Sequence, residues 1–120
     1  MNNFVLEKRT SEMIAYDIDC TNILDPDEII VLIESITSDQ EGLEFSGQAI
    51  NVAPVVFPDG VVAGIGKVIS VYIAGGIIPA QQINQLYTIR AIFNTSKNNT
   101  REATVLLNVT NIPVQTGRAC

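Results

Sequence analysis

Few side chains in this sequence can do chemistry, and their spacing narrows the choice further. Histidine is absent, so the usual general base near neutral pH and the commonest metal ligand are both missing. Asp17 and Asp19 form a carboxylate pair two residues apart. On a strand that spacing puts both on one outward face, where water solvates them and nothing poises either for acid work. Gly64-Ile65-Gly66-Lys67 invites comparison with a phosphate-binding loop. Val68 stands where the Ser or Thr that holds Mg²⁺ belongs, and no glycine lies at the required spacing before Gly66. These glycines are read instead as permitting a bulge or close sheet packing.

The stretch DIDCTNILDPDE, residues 17–28, comes nearest to a metal site. Counted as a calcium loop, Asp17, Asp19 and Thr21 take the first, third and fifth places. Asp25 takes the ninth, and Glu28 the twelfth, where a bidentate carboxylate belongs. Asn22 replaces the glycine of the sixth place, no second loop pairs with this one, and the residues before Asp17 alternate like a strand. The expectation is an acidic, solvated edge and turn with no metal; no catalytic or cofactor-binding residue is assigned either. Cys20 and Cys120 form no ligand or redox spacing and are expected as free thiols in a reducing compartment. Asn94, Asn98 and Asn108 each open an Asn-x-Ser/Thr triplet, which without a secretory route is composition rather than function.

The elements around these residues read as strands. YTIRAIF places Tyr87, Ile89, Ala91 and Phe93 on one face, and REATVLLNV places Val105, Leu107 and Val109 on one face. The polar NTSKNNT between them predicts an exposed hairpin tip. Such a hairpin is marginal alone and needs a second sheet over its apolar face. Residues 4–11 read as an arm or first edge strand. Ile14, Tyr16 and Ile18 alternate with Ala15, Asp17 and Asp19 as a half-buried strand. Asp25 with Pro26, Asp27 and Glu28 suits the start of a helix, but Ile29, Ile30, Val31, Ile33 and Ile36 are β-branched, and residues 29–37 are read as a strand. LEFSGQAINV continues to Ala53-Pro54, Phe57-Pro58-Asp59-Gly60 is a turn, and residues 61–76 are apolar on both sides. That strand is expected to be central or covered by a partner chain. Gly75-Gly76 ends it, residues 77–86 cross over, and 114–120 form a flexible tail.

About seven short strands without a βαβ rhythm predict one all-β domain over 1–120, with 1–11 as a possible N-terminal arm. The expected form is an immunoglobulin-like antiparallel β-sandwich, with a small barrel as the alternative. Tyr87 stands where such sandwiches place a corner tyrosine. Seven basic against thirteen acidic residues give a net charge of −6, which argues against binding nucleic-acid phosphates. No run approaches a membrane span, and the start, MNNFVLEKRT, has no signal-peptide core, so export is not expected. Residues 61–78 carry more apolar side chains than one core face needs, which points to a protein interface, with Tyr72 and Ile73 as its test positions.

A family resemblance adds to this reading. Lys8, Glu12, Tyr16-Asp17-Ile18-Asp19, Asp27-Glu28-Ile29-Ile30, Gly75-Gly76, Tyr87-Thr88-Ile89, Asn94-Thr95-Ser96 with Arg101-Glu102, and Leu106-Leu107-Asn108-Val109 occur in this order. In this the sequence resembles the small immunoglobulin-like virion proteins of tailed bacteriophages that act as fibre–tail adaptors. It departs from them in lacking a Trp after the Asp-x-Asp strand and in its longer 77–86 crossover. The resemblance implies a non-enzymatic structural protein of the neck or tail, assembled in the host bacterial cytoplasm. Its partners would be tail, connector or fibre subunits and further copies of itself in a ring. A capsid decoration or head–tail connector protein would share this composition; a calcium-binding or adhesin-type module fits it less well.

Overall fold

The computed structural model describes residues 5–110. Its strands are β1 (Val5–Arg9), β2 (Met13–Asp19), β3 (Ile30–Ser38), β4 (Leu43–Ile50), β5 (Val55–Val56), β6 (Val62–Ala63), β7 (Val68–Gly75), β8 (Asn84–Thr95) and β9 (Thr100–Thr110). One sheet has the order β1-β9-β8-β3, the other β2-β7-β4, and β5 pairs only with β6. With the β5–β6 ribbon set aside, the seven long strands fall in an immunoglobulin-type order. The second, fifth and fourth share one sheet, and the third, sixth and seventh share the other. The first strand departs from the simplest version: β1 joins β9, and in parallel. The expected antiparallel sandwich is what forms: the other ladders are antiparallel.

The β8–β9 hairpin pairs continuously from Asn84↔Thr110 to Asn94↔Thr100. Tyr87, Ile89, Ala91 and Phe93 from β8, with Ala103, Leu107 and Val109 from β9, meet Ile18, Ile69, Val71 and Ile73 from the other sheet in one core. Each large aliphatic or aromatic side chain buried there contributes roughly 1.5–3 kcal/mol, so the apolar faces set the register. β7 lies between β2 and β4, in the central position its composition predicts. Ile73, however, is fully buried while Tyr72 is exposed. Of the two test positions only Tyr72 faces outward.

Residues 30–38 form a strand despite a helix-like spacing of three among Ile30, Ile33 and Ile36. The register against β8 shifts between Ile30 and Leu32 and again between Ile33 and Ser35. Each irregularity returns the next isoleucine to the core side, opposite Thr95, Phe93 and Ala91 in turn. In β4 a similar shift lies between Ser46 and Ala49, so Leu43, Phe45 and Ile50 all pack on the core despite their odd–even change. The strand ends at Ile50, short of the expected Ala53.

At the start of β8, Tyr87 is buried, and its hydroxyl accepts the Ile77 N–H at 2.8 Å and lies 3.2 Å and 3.3 Å from the Ile77 and Glu41 carbonyls. This is a tyrosine corner, tying the crossover and the β3–β4 turn to the core. β7 ends because Gly75 adopts φ +82 with its backbone against the Gly42 carbonyl; a Cβ there would lie 2.5 Å from that oxygen. Cys20 is a free, buried thiol. Cys120, the 114–120 tail and residues 1–4 of the arm lie outside the described residues.

Candidate interaction surface

The surface is built from the 25–28 turn upward. The Glu28 N–H donates to the Asp25 carbonyl at 2.9 Å, and the Asp25 N–H donates to Glu28 Oε1 at 3.0 Å. This reciprocal closure turns the Glu28 carboxylate inward, where it is fully buried. It accepts hydrogen bonds from Thr95 Oγ1, Asn99 Nδ2 at 3.0 Å and Arg101 Nε at 3.0 Å. The Thr95 hydroxyl, supported by the Asp25 N–H, Arg101 and Asn99, outweighs burial and pulls the carboxyl down to about 2. A buried carboxylate survives when every lone pair finds a donor. Outside this knot Lys97 pairs with Asp27 at 2.8 Å and Asp25 at 3.2 Å. Those charges are largely solvated, so they add little to stability.

Lys67 carries the knot to its neighbour. Its Nζ donates to the carbonyls of Asp25 at 3.0 Å, Pro26 at 3.1 Å and Glu28. Its N–H, with that of Val68, donates to Asn51 Oδ1 at 3.0 Å. Asn51 Nδ2 in turn donates to the carbonyls of Ala53 and Gly64, both at 2.8 Å. One amide side chain therefore clamps both legs of the excursion between β4 and β7. Beside it Gly66 has φ +79, and a Cβ there would lie 2.7 Å from Ile29 Cβ. Glycine is required because the backbone passes directly over that side chain.

On this base stands the β5–β6 ribbon. Phe57-Pro58-Asp59-Gly60 closes it as predicted, with the Gly60 N–H on the Phe57 carbonyl at 2.9 Å and Phe57 N–H on Val61 at 2.8 Å. Ala63 is buried, but Val52, Val56, Val61, Val62 and Ile65 are between 50% and 88% exposed. Val56 and Val62 pair across the ribbon, and branched aliphatic side chains left to water on an ordered ribbon are of the kind found at interfaces.

The residues singled out in the sequence separate here. Asp17 Oδ1 accepts from Ser70 Oγ at 2.6 Å, and Asp19 Oδ1 from Thr21 Oγ1 at 2.6 Å and its N–H at 3.0 Å. Asp25 turns to Lys97 and Glu28 to Arg101. Among the described residues no three His, Cys, Asp or Glu side chains group to hold a metal ion. The solvated-turn reading of 17–28 is corrected at Glu28, which is interior. The exposed-tip reading of NTSKNNT is corrected at Thr95, which is buried, and at Asn99, which bonds inward. The apolar surplus placed at 61–78 divides: Val68, Ile69, Val71 and Ile73 are core, while Val61, Val62, Ile65, Tyr72 and Ile77 are exposed, the first three of them beside the exposed Val52 and Val56 in the 52–65 stretch. Lys67, the last residue of the phosphate-loop-like GIGK, binds backbone carbonyls. Asn51 carries no signal in the sequence, being one polar residue in an apolar run with no spacing to mark it, and the role of Lys67 in holding backbone carbonyls is not the one its motif suggested. Burial pushes the Cys20 thiol up to about 12, with the Asp19 charge adding to it. Compared with protein-family models and with curated proteins, the chain matches none.

Proposed function

We propose that this chain is a non-enzymatic structural protein of a tailed-phage virion. It serves as an immunoglobulin-like adaptor of the neck or tail that joins tail or connector to fibres through protein–protein interfaces. In this reading it is assembled in the host bacterial cytoplasm and works as several copies in a ring. The family resemblance of the sequence supports the location. The carrying observation for binding is the apolar ribbon, 52–65, held stiff by Asn51 and Lys67 yet left exposed. Permanent subunit contacts resemble a core cut in half, and ordered aliphatic side chains enter them at little further entropy cost.

The chemistry of the remaining groups supports a non-catalytic role. Glu28 is ionised and fully hydrogen-bonded, and the Cys20 thiol is buried and far from ionisation at neutral pH. Neither is poised to move a proton or attack a substrate.

The test is to locate the chain in purified particles by reconstruction and to measure the mass of the isolated protein by light scattering. Density at the neck or tail, with the ribbon against a neighbour, is the expected result. Density on capsomers assigns a decoration role instead. A protein that stays monomeric at high concentration and is absent from particles ends the proposal.

A further inference from the structure

We propose that the outer edge of β2 is a docking site for an extended segment of another protein, one that carries basic side chains at alternate positions. The inference does not depend on the ribbon. Among the described residues the two sheets have four edge strands, β1, β3, β2 and β4, and three of them carry devices that oppose strand addition. β3 has two register shifts and β4 has one. Along β1, side chains take the backbone groups: Tyr16 Oη donates to the Glu7 carbonyl at 2.5 Å, and Glu12 Oε1 accepts the Arg9 N–H at 2.7 Å. The buried Lys8 ammonium closes the Arg9 carbonyl at 2.5 Å.

β2 has none of these. Met13–Asp19 pairs with β7 in unbroken register, contains no proline, and has no strand on its far side among the described residues. Apart from the Cys20 thiol, 3.7 Å from the Ile18 carbonyl, no described side chain bonds to its backbone. In the simplest immunoglobulin arrangement the first strand fills this place; here β1 has moved to β9. On the flank at this edge Ile14 and Tyr16 are only half-buried, with Tyr16 packed against the core. An added strand covers that flank.

Charge selects the occupant. Asp17 and Asp19 are exposed on the outer face of β2, and among the described residues each uses only Oδ1. Cross-strand pairs of opposite charge favour pairing and like pairs oppose it. A strand with lysine or arginine beside Asp17 and Asp19, and apolar residues on the alternate positions, satisfies both faces. A second copy of β2 would instead bring its own Asp17, Asp19 and Glu12 to the seam.

The test uses the whole, isotopically labelled chain and a capped peptide of about nine alternating lysine and valine residues, long enough to span the strand. A glutamate–valine peptide is the control. The lysine peptide is expected to slow amide exchange at alternate residues of Met13–Asp19. In Asp17→Lys/Asp19→Lys its binding should weaken about tenfold or more, and the glutamate peptide should bind instead. Asp17→Asn/Asp19→Asn, which keeps acceptors for Ser70 and Thr21, should remove the preference between the peptides. Equal binding of both peptides to the unaltered chain overturns the proposal, as does protection confined to β3, β4 or the ribbon, or none in β2. Protection of the β2 edge before any peptide is added would mean that the edge is already covered and would also overturn the proposal.

Discussion

Two neighbouring regions of this molecule distribute polarity in opposite ways. The 25–28 turn with the β8–β9 tip buries a charge, Glu28, whereas the β5–β6 ribbon leaves Val52, Val56, Val61, Val62 and Ile65 in water. Lys67 touches both, by its ammonium on the turn and by its backbone on Asn51. The difference separates a region that holds shape from one left free for the contacts proposed above. A buried ion pair is weak evidence of net stability, but a carboxylate with donors from Thr95, Asn99, Arg101 and Asp25 admits only one geometry. That geometry fixes the base from which the ribbon projects. The exposed Val and Ile side chains of 52–65 carry no polar group that could be fixed in this way.

The largest effect expected from breaking the comparison is at Glu28. Glu28→Ala strips the donors of Thr95, Asn99 and Arg101 of their acceptor and should lower the melting temperature more than any change in the ribbon. A smaller loss than the ribbon variants give would reverse the roles assigned here. Asn51→Ala comes next, at about 1–3 kcal/mol. It should also speed amide exchange through 52–66 while leaving β8 and β9 protected; uniform loosening would mean that Asn51 serves the core instead. Tyr87→Phe removes the corner hydroxyl and should cost about 1 kcal/mol, read by denaturant midpoint at unchanged slope. The smallest stability effect belongs to Val56→Asp/Val62→Asp, within about 0.5 kcal/mol, together with loss of self-association or particle incorporation. A large drop in melting temperature would show the ribbon to be packed in the monomer.

Acid sharpens the same contrast. The Glu28 carboxyl is depressed from 4.5 to about 2 on folding. Its contribution is therefore complete above about pH 4.5 and is lost as pH falls toward 2. Melting temperature should decline across that window, and Glu28→Gln should flatten the decline. An unchanged acid limb in that variant would assign the transition to other carboxylates.

Much of the fold was legible because strand alternation is a local signal. Tyr87, Ile89, Ala91 and Phe93 face the core as their period of two requires, and Pro58 and Gly60 mark their turn by intrinsic backbone preference. The reading fails where alternation is broken. Irregularities in β3 make Ile30, Ile33 and Ile36 share a face at a spacing that resembles a helix. The surface was less legible, since the burial of Glu28 depends on Thr95 and Arg101, about seventy residues away. Nothing local distinguishes it from Asp25 or Asp27, which stay exposed.

The amino-acid order by itself determined an all-β chain, its closing hairpin, its corner tyrosine and the lack of any histidine-based chemistry, since each rests on residue type or on neighbours in sequence. The tertiary structure alone decided that β1 would join β9, that Glu28 would be interior and that Val52, Val56, Val61, Val62 and Ile65 would stand exposed. Those outcomes depend on which distant groups meet, and pairing energy between remote segments is not written in any one of them.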